Sequence, residues 1–143
     1  MASINPYLNF PGNTEEVFNF YKSVFGGEFL AVQRFADTPD AANMPADVKN
    51  MIMHISLPIG KGNVLMATDA PASMGFNLIQ GSNMYICISP DDKEEANRLF
   101  NGLSAGGKVT MALQQMFWGA LYGDFTDKYG VKWMVNYDMN KRG

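Results

Sequence analysis

The chain carries one cysteine and one histidine in 143 residues, Cys87 and His54. A lone cysteine cannot form a disulfide within the chain, so a reducing, cytoplasmic setting is the expectation. A lone histidine is a thin supply for a metal centre, which draws on three or more strong protein ligands. Charge is scarce too. The 11 Lys/Arg and 14 Asp/Glu leave a net charge of -3, without a basic cluster. Nucleic-acid binding therefore lacks its electrostatic footprint. No apolar run approaches the ~18 residues of a membrane span. The start Met1-Ala2-Ser3-Ile4-Asn5 lacks the charged and apolar regions of a leader peptide. No G-x-G-x-x-G follows a strand pattern, which counts against a dinucleotide site and equally against a methyltransferase cofactor loop. The serines and threonines show no nucleophile elbow.

What is present is globular. Apolar residues make up 47% of the chain, enough for a real core. Eleven methionines stand out. Flexible thioethers fill irregular cores and also line adaptable pockets. The dominant pattern is a repeat. Tyr7-Leu8-Asn9-Phe10, Glu15-Glu16, Phe20-Tyr21 and Gly26-Gly27 recur about 79 residues later as Tyr85-Ile86-Cys87-Ile88, Glu94-Glu95, Leu99-Phe100 and Gly106-Gly107. That period suggests a duplicated module rather than a solenoid of shorter units.

Each copy reads as strand, helix, glycine stop and further strands. Alternation sets Leu8 and Phe10 against Tyr7 and Asn9. Asn13 is positioned to cap a helix with Glu16 as its reciprocal partner, and Val17, Phe20, Tyr21 and Val24 supply the stripe. Strands are predicted over 28–35, 51–57 and 63–68, with a loop over 37–47. In the first of the paired strands Met53 and Ile55 face the helix, while Ile52, His54 and Ser56 face away. Residues 71–82 form a connector. In the second copy Ser89-Pro90 starts a helix striped by Ala96, Leu99, Phe100 and Leu103. Strands at 108–113, 117–125 and 131–137 complete it. The expected fold is α+β: two tandem βαβββ modules, 4–70 and 83–138, in one domain. One helix covers one face of each four-stranded sheet, and the other face must line a partner sheet or a cavity.

This order, with Pro6-Tyr7-Leu8, Phe25-Gly26-Gly27, Met53-His54, Leu65-Met66-Ala67, Asp69, Trp118-Gly119 and Asp127 through Gly130 with Trp133, resembles the PhnB-like branch of the vicinal oxygen chelate superfamily. That superfamily includes glyoxalase I, ring-cleaving dioxygenases and bleomycin-resistance proteins. The resemblance implies sheets curled around a concave site, helices outside, and a homodimer. It also implies metal ligands on the first and last strand of each module. Laid on this chain, those positions hold Asn5 and Met66, then Asn83 and Met134. Asn and Met make a poor set for Zn, Ni, Mn or Fe(II). The expectation is no usual metal and no cofactor.

His54 is then either a strand histidine satisfied by hydrogen bonds, an acid/base, or one ligand of a rearranged metal site with Asp69 and Glu28. Cys87 reads as a small buried hydrophobe. The Glu15-Glu16 and Glu94-Glu95 pairs read as first-turn charges favoured by the helix dipole. Tyr7, His54, Met66, Tyr85, Trp118, Tyr122, Met134 and Asn136 are the candidate ligand-lining residues, with Trp118 and Tyr122 on one strand face and Trp133 in the core. They either line an apolar pocket with a few polar tips or simply fill an interior. Three functions follow: binding of a small hydrophobic or aromatic molecule without metal; a metal-dependent lyase, isomerase or dioxygenase built around His54; or a dimeric scaffold without a ligand.

Overall fold

The structure is a computed structural model and describes residues 2–140. Met1, part of the segment read for a leader and the first residue of the expected single domain, lies outside them, as do residues 141–143. The chain divides into two compact units, one running to Ile79 and the other starting at Gln80.

The first unit holds β1 (Tyr7–Phe10), α1 (Thr14–Phe25), β2 (Ala31–Arg34), the short α2 (Ala46–Lys49), β3 (Ile52–Ile59) and β4 (Asn63–Asp69). Its sheet order is β1-β4-β3-β2, with β1 parallel to β4 and the other pairs antiparallel. The second unit repeats this with β5 (Ile86–Ile88), α3 (Lys93–Ser104), β6 (Lys108–Gln115), β7 (Ala120–Thr126) and β8 (Lys132–Asp138), ordered β5-β8-β7-β6. The duplicated βαβββ module is therefore present as a fold. The loop expected over 37–47 contains the last residue of one 3-10 turn (Phe35–Asp37), a second 3-10 turn (Ala41–Asn43) and the start of α2.

Strand parity places the core. Val17, Phe18 and Tyr21 of α1, together with Ile55, Leu57, Leu65 and Ala67 of the sheet, are all buried. Phe18 takes the fully buried place expected of Phe20, which is only half-buried. Ile52 is also fully buried, although alternation sets it on the same face as His54. The pairing of β2 with β3 explains this. Gln33 pairs with His54 and Arg34 with Ile52, so Met53 is an extra residue and the strand is bulged there. In the second unit Ala96, Leu99, Phe100 and Leu103 of α3 are buried, as their spacing predicts, along with Phe125, Trp133 and Val135.

The helix starts depart from expectation. The Asn13 side chain makes no capping bond, and its Oδ1 is buried without a hydrogen-bond partner. The Thr14 N–H instead donates to Asp69 Oδ1 at 3.0 Å. In the second module the helix begins at Lys93, not after Pro90. Asp92 accepts from the Glu95 N–H at 2.8 Å, and the Asp91 N–H donates to Glu95 Oε1 at 2.9 Å. Side-chain capping chemistry, not the proline, sets that boundary.

Candidate functional site

Each sheet has one face toward its helix and one away from it, and the candidate residues other than Trp118 fall on the second. In the first unit Tyr7 on β1 pairs in register with Met66 on β4, and β3 brings His54 to the same face. The Tyr7 hydroxyl lies 3.1 Å from His54 Nδ1, and the rings stack with centroids 5.7 Å apart. Because β4 lies between β1 and β3, Tyr7 reaches across a strand to make this contact. Desolvation pushes the Tyr7 phenol above its ordinary range, which keeps it protonated and hydrogen-bonding at neutral pH.

The structure does not gather the companions considered for His54. Asp69 is buried on the helix side, where its two oxygens accept from the Thr14 and Ile52 N–H groups at 3.0 and 2.7 Å. Glu28 pairs with Lys22 at 3.1 Å. Asn5 Oδ1 accepts from the Val64 N–H at 3.0 Å, so its carbonyl oxygen is occupied with backbone.

In the second unit β7 and β8 alternate cleanly. Leu121, Gly123 and Phe125 are buried, as are Trp133 and Val135, while Tyr122, Asp124, Met134 and Asn136 are half-buried on the far face. Asn136 pairs with Tyr122, and Met134 pairs with both Asp124 and Cys87. Cys87 is exposed, not buried, because it shares the parity of Met134 and points away from α3. Burial of its surroundings still raises the thiol pKa, which leaves it a poor nucleophile at neutral pH. Trp118 precedes β7 and sits in the turn joining β6 to β7 rather than on a strand face. Its ring nonetheless packs edge-on against Tyr122 at 6.1 Å, and Phe117 packs against Trp118 at 5.1 Å. Tyr85 lies beneath the Lys132 ammonium, 5.6 Å from the ring centre, while Lys132 Nζ donates to Thr126 Oγ1 at 3.2 Å.

Asp124 organises this face and was missed in the sequence. The Tyr122 hydroxyl donates to its Oδ2 at 2.9 Å, and the Thr110 hydroxyl donates to its Oδ1. Desolvation, then the bond to Asp124, push the Tyr122 phenol up to about 12. The missed signal was an aspartate two residues after Tyr122 inside a strand, where Asp is disfavoured without a partner or a task. The sequence does contain the elbow spacing, Gly102-Leu103-Ser104-Ala105-Gly106, but Ser104 is the last residue of α3 and leads toward a strand. A nucleophile elbow needs the opposite order, strand into helix.

The register also revises the symmetry expected of the metal positions. Met66 is level with Tyr7, and Asn5 lies two residues back, level with Val64. Met134 is level with Cys87, four residues beyond Asn83. The pairs Asn5/Met66 and Asn83/Met134 are therefore not equivalent. The strand partners away from the helices are Tyr7 with Met66, and Cys87 with Met134.

The family model described as 3-demethylubiquinone-9 3-methyltransferase matches residues 2–136. Protein YjdN of Escherichia coli is 32% identical over 93% of each chain. The crystal structure of protein PA1353 from Pseudomonas aeruginosa superposes with a TM-score of 0.83 at 41% identity, covering 96% of this chain and 98% of that one. A glyoxalase/bleomycin resistance/dioxygenase family enzyme from Burkholderia phytofirmans shares the fold, with a TM-score of 0.62 at 16% identity over 92% of this chain and 96% of that one. The family match over residues 2–136, with the 32% identical relative beside it, places this chain in the family described as 3-demethylubiquinone-9 3-methyltransferase, and its fold is that of the glyoxalase/bleomycin resistance/dioxygenase family enzyme.

Proposed function

We propose that this protein binds a small hydrophobic or aromatic molecule on the sheet face away from α3, without the superfamily's usual metal. One observation carries the reading: half-exposed Trp118 packs against Tyr122 of that face, where Met134 and Asn136 lie on the adjoining strand and Tyr85 lies beneath Lys132. Ligand sites have this make-up, mostly apolar with a few fixed polar groups. The Tyr7, His54 and Met66 group offers a second surface of the same kind in the first unit.

The family's methyltransferase description is not adopted as this chain's activity. The sequence has no glycine-rich loop between a strand and a helix to cradle such a cofactor. The metal reading around His54 is weakened by what its companions do, since Asp69 and Glu28 are engaged elsewhere. We take the chain to act as a homodimer. Exposed Phe76 and Ile79 near the end of the first unit, and Met84 near the start of the second, supply apolar surface for such an association.

The test is a panel of neutral apolar and aromatic ligands followed by tryptophan fluorescence and melting temperature. Binding should quench or shift Trp118 emission and raise the melting temperature, and Trp118→Ala should abolish the optical response. A flat response across a broad panel would leave the scaffold reading standing instead. Stoichiometric Ni, Zn, Mn or Fe(II) in protein purified without a histidine tag would restore the metal reading.

A further inference from the structure

We infer that the ligand of the second unit carries a positively charged nitrogen with N–H groups, such as an amidinium or an amine, and that Asp124 receives it. The inference rests on the binding site proposed above and narrows its ligand class. The argument is one of donors and acceptors. Tyr122 and Thr110 each own a single hydroxyl proton, and both give it to the Asp124 carboxylate. What these three side chains then offer a ligand is lone pairs only. Two oxygens of a carboxylate hold about four acceptor sites, so the two hydroxyls leave capacity for a donor from outside. An acceptor-only cluster with one negative charge repels carboxylates and phosphates and favours a cationic donor.

The surroundings fit the same class. Tyr122 bonds the carboxylate and its ring packs against Trp118, and aromatic faces attract cations. This sheet face already holds one ammonium in that way, Lys132 over Tyr85 at 5.6 Å. Lys132 donates to Thr126 one strand pair further along, and Asp124 pairs across the sheet with Met134 and Met111. Thioether neighbours lower the local polarity without competing for the carboxylate.

The test uses three near-isosteric probes, benzamidine, benzamide and benzoate, titrated into the full chain at neutral pH and followed by calorimetry and tryptophan fluorescence. Benzamidine should bind at least about tenfold more tightly than benzamide, the size of one charge-assisted hydrogen bond, with benzoate weakest. Asp124→Asn should erase that preference, while Tyr122→Phe, which frees one carboxylate oxygen, should keep it. The order within the unmodified protein stands even if a variant folds poorly. Equal binding of benzamidine and benzamide, or tighter binding of benzoate, would overturn the cation assignment and leave the apolar site intact. No binding of any of the three would overturn it too, and the neutral panel would then judge the binding site on its own.

Discussion

Asp69 and Asp127 are buried carboxylates whose oxygens are spent on structure. Asp69 joins the first turn of α1 to the start of β3 through two backbone bonds. Asp127 accepts from the Tyr129 and Val131 N–H groups and from Trp133 Nε1, which locks the turn before β8. Asp69→Ala should strand two buried donors and cost about 3 kcal/mol in urea unfolding. Glu15 and Arg34 behave differently. Their bidentate pair, at 3.0 and 2.6 Å, holds the Glu15 carboxyl below the usual 4.5. A lowered folded pKa contributes stability above 4.5 that is lost as pH falls through the folded value. The pair is substantially solvent-exposed, so Glu15→Gln should cost less than about 1 kcal/mol at neutral pH. That difference should vanish in unfolding curves taken well below pH 4.5. Tyr122 has the opposite sign. Its phenol is raised to about 12, so its contribution is intact below the unfolded value near 10 and disappears as pH rises through 12. Ultraviolet titration should show one tyrosine ionising near 12, absent in Tyr122→Phe and moved downward in Asp124→Asn.

Double glycines after both helices read as stop signals, and the structure shows that the two copies use them differently. Gly26 and Gly27 both adopt positive φ, at 83° and 80°. In the second copy only Gly106 does, at 77°. Gly107 is required for another reason: a Cβ there would run into the Thr126 carbonyl and the Asp127 backbone. Gly107→Ala should therefore destabilise the chain by about 2 kcal/mol through overpacking, while leaving the length of α3 unchanged by circular dichroism. Element type and order were legible because period-two and helical patterns are strong in β1, β3, β4, α1 and α3. Boundaries were less legible where long-range partners set them. The residue completing the start of α1, Asp69, lies 55 positions away. Trp118 looked like strand because aromatic residues favour strands, yet the turn bonds from Met116 to Ala120 and from Gly119 to Met116 hold it outside β7.

At the scale of the molecule, duplication preserved topology down to the strand order of both sheets. It did not preserve chemistry at matching positions. Tyr7 meets His54, whereas Tyr85 carries Lys132, and the partner of Met66 is a tyrosine while that of Met134 is a cysteine. The parity of Tyr122, Met134 and Asn136 was readable from alternation alone. The role of Asp124 was not, because its Thr110 partner lies on another strand and only the sheet pairing unites them.

The decisive measurement is titration of the neutral aromatic panel into wild-type protein and Trp118→Ala, with calorimetry reporting binding independently of fluorescence. Saturable binding near one site per chain, weakened at least about tenfold by loss of the indole, is the expected result. Absence of saturable heat in the wild-type protein for every neutral ligand, and for benzamidine as well, would contradict a small-molecule site on this sheet face.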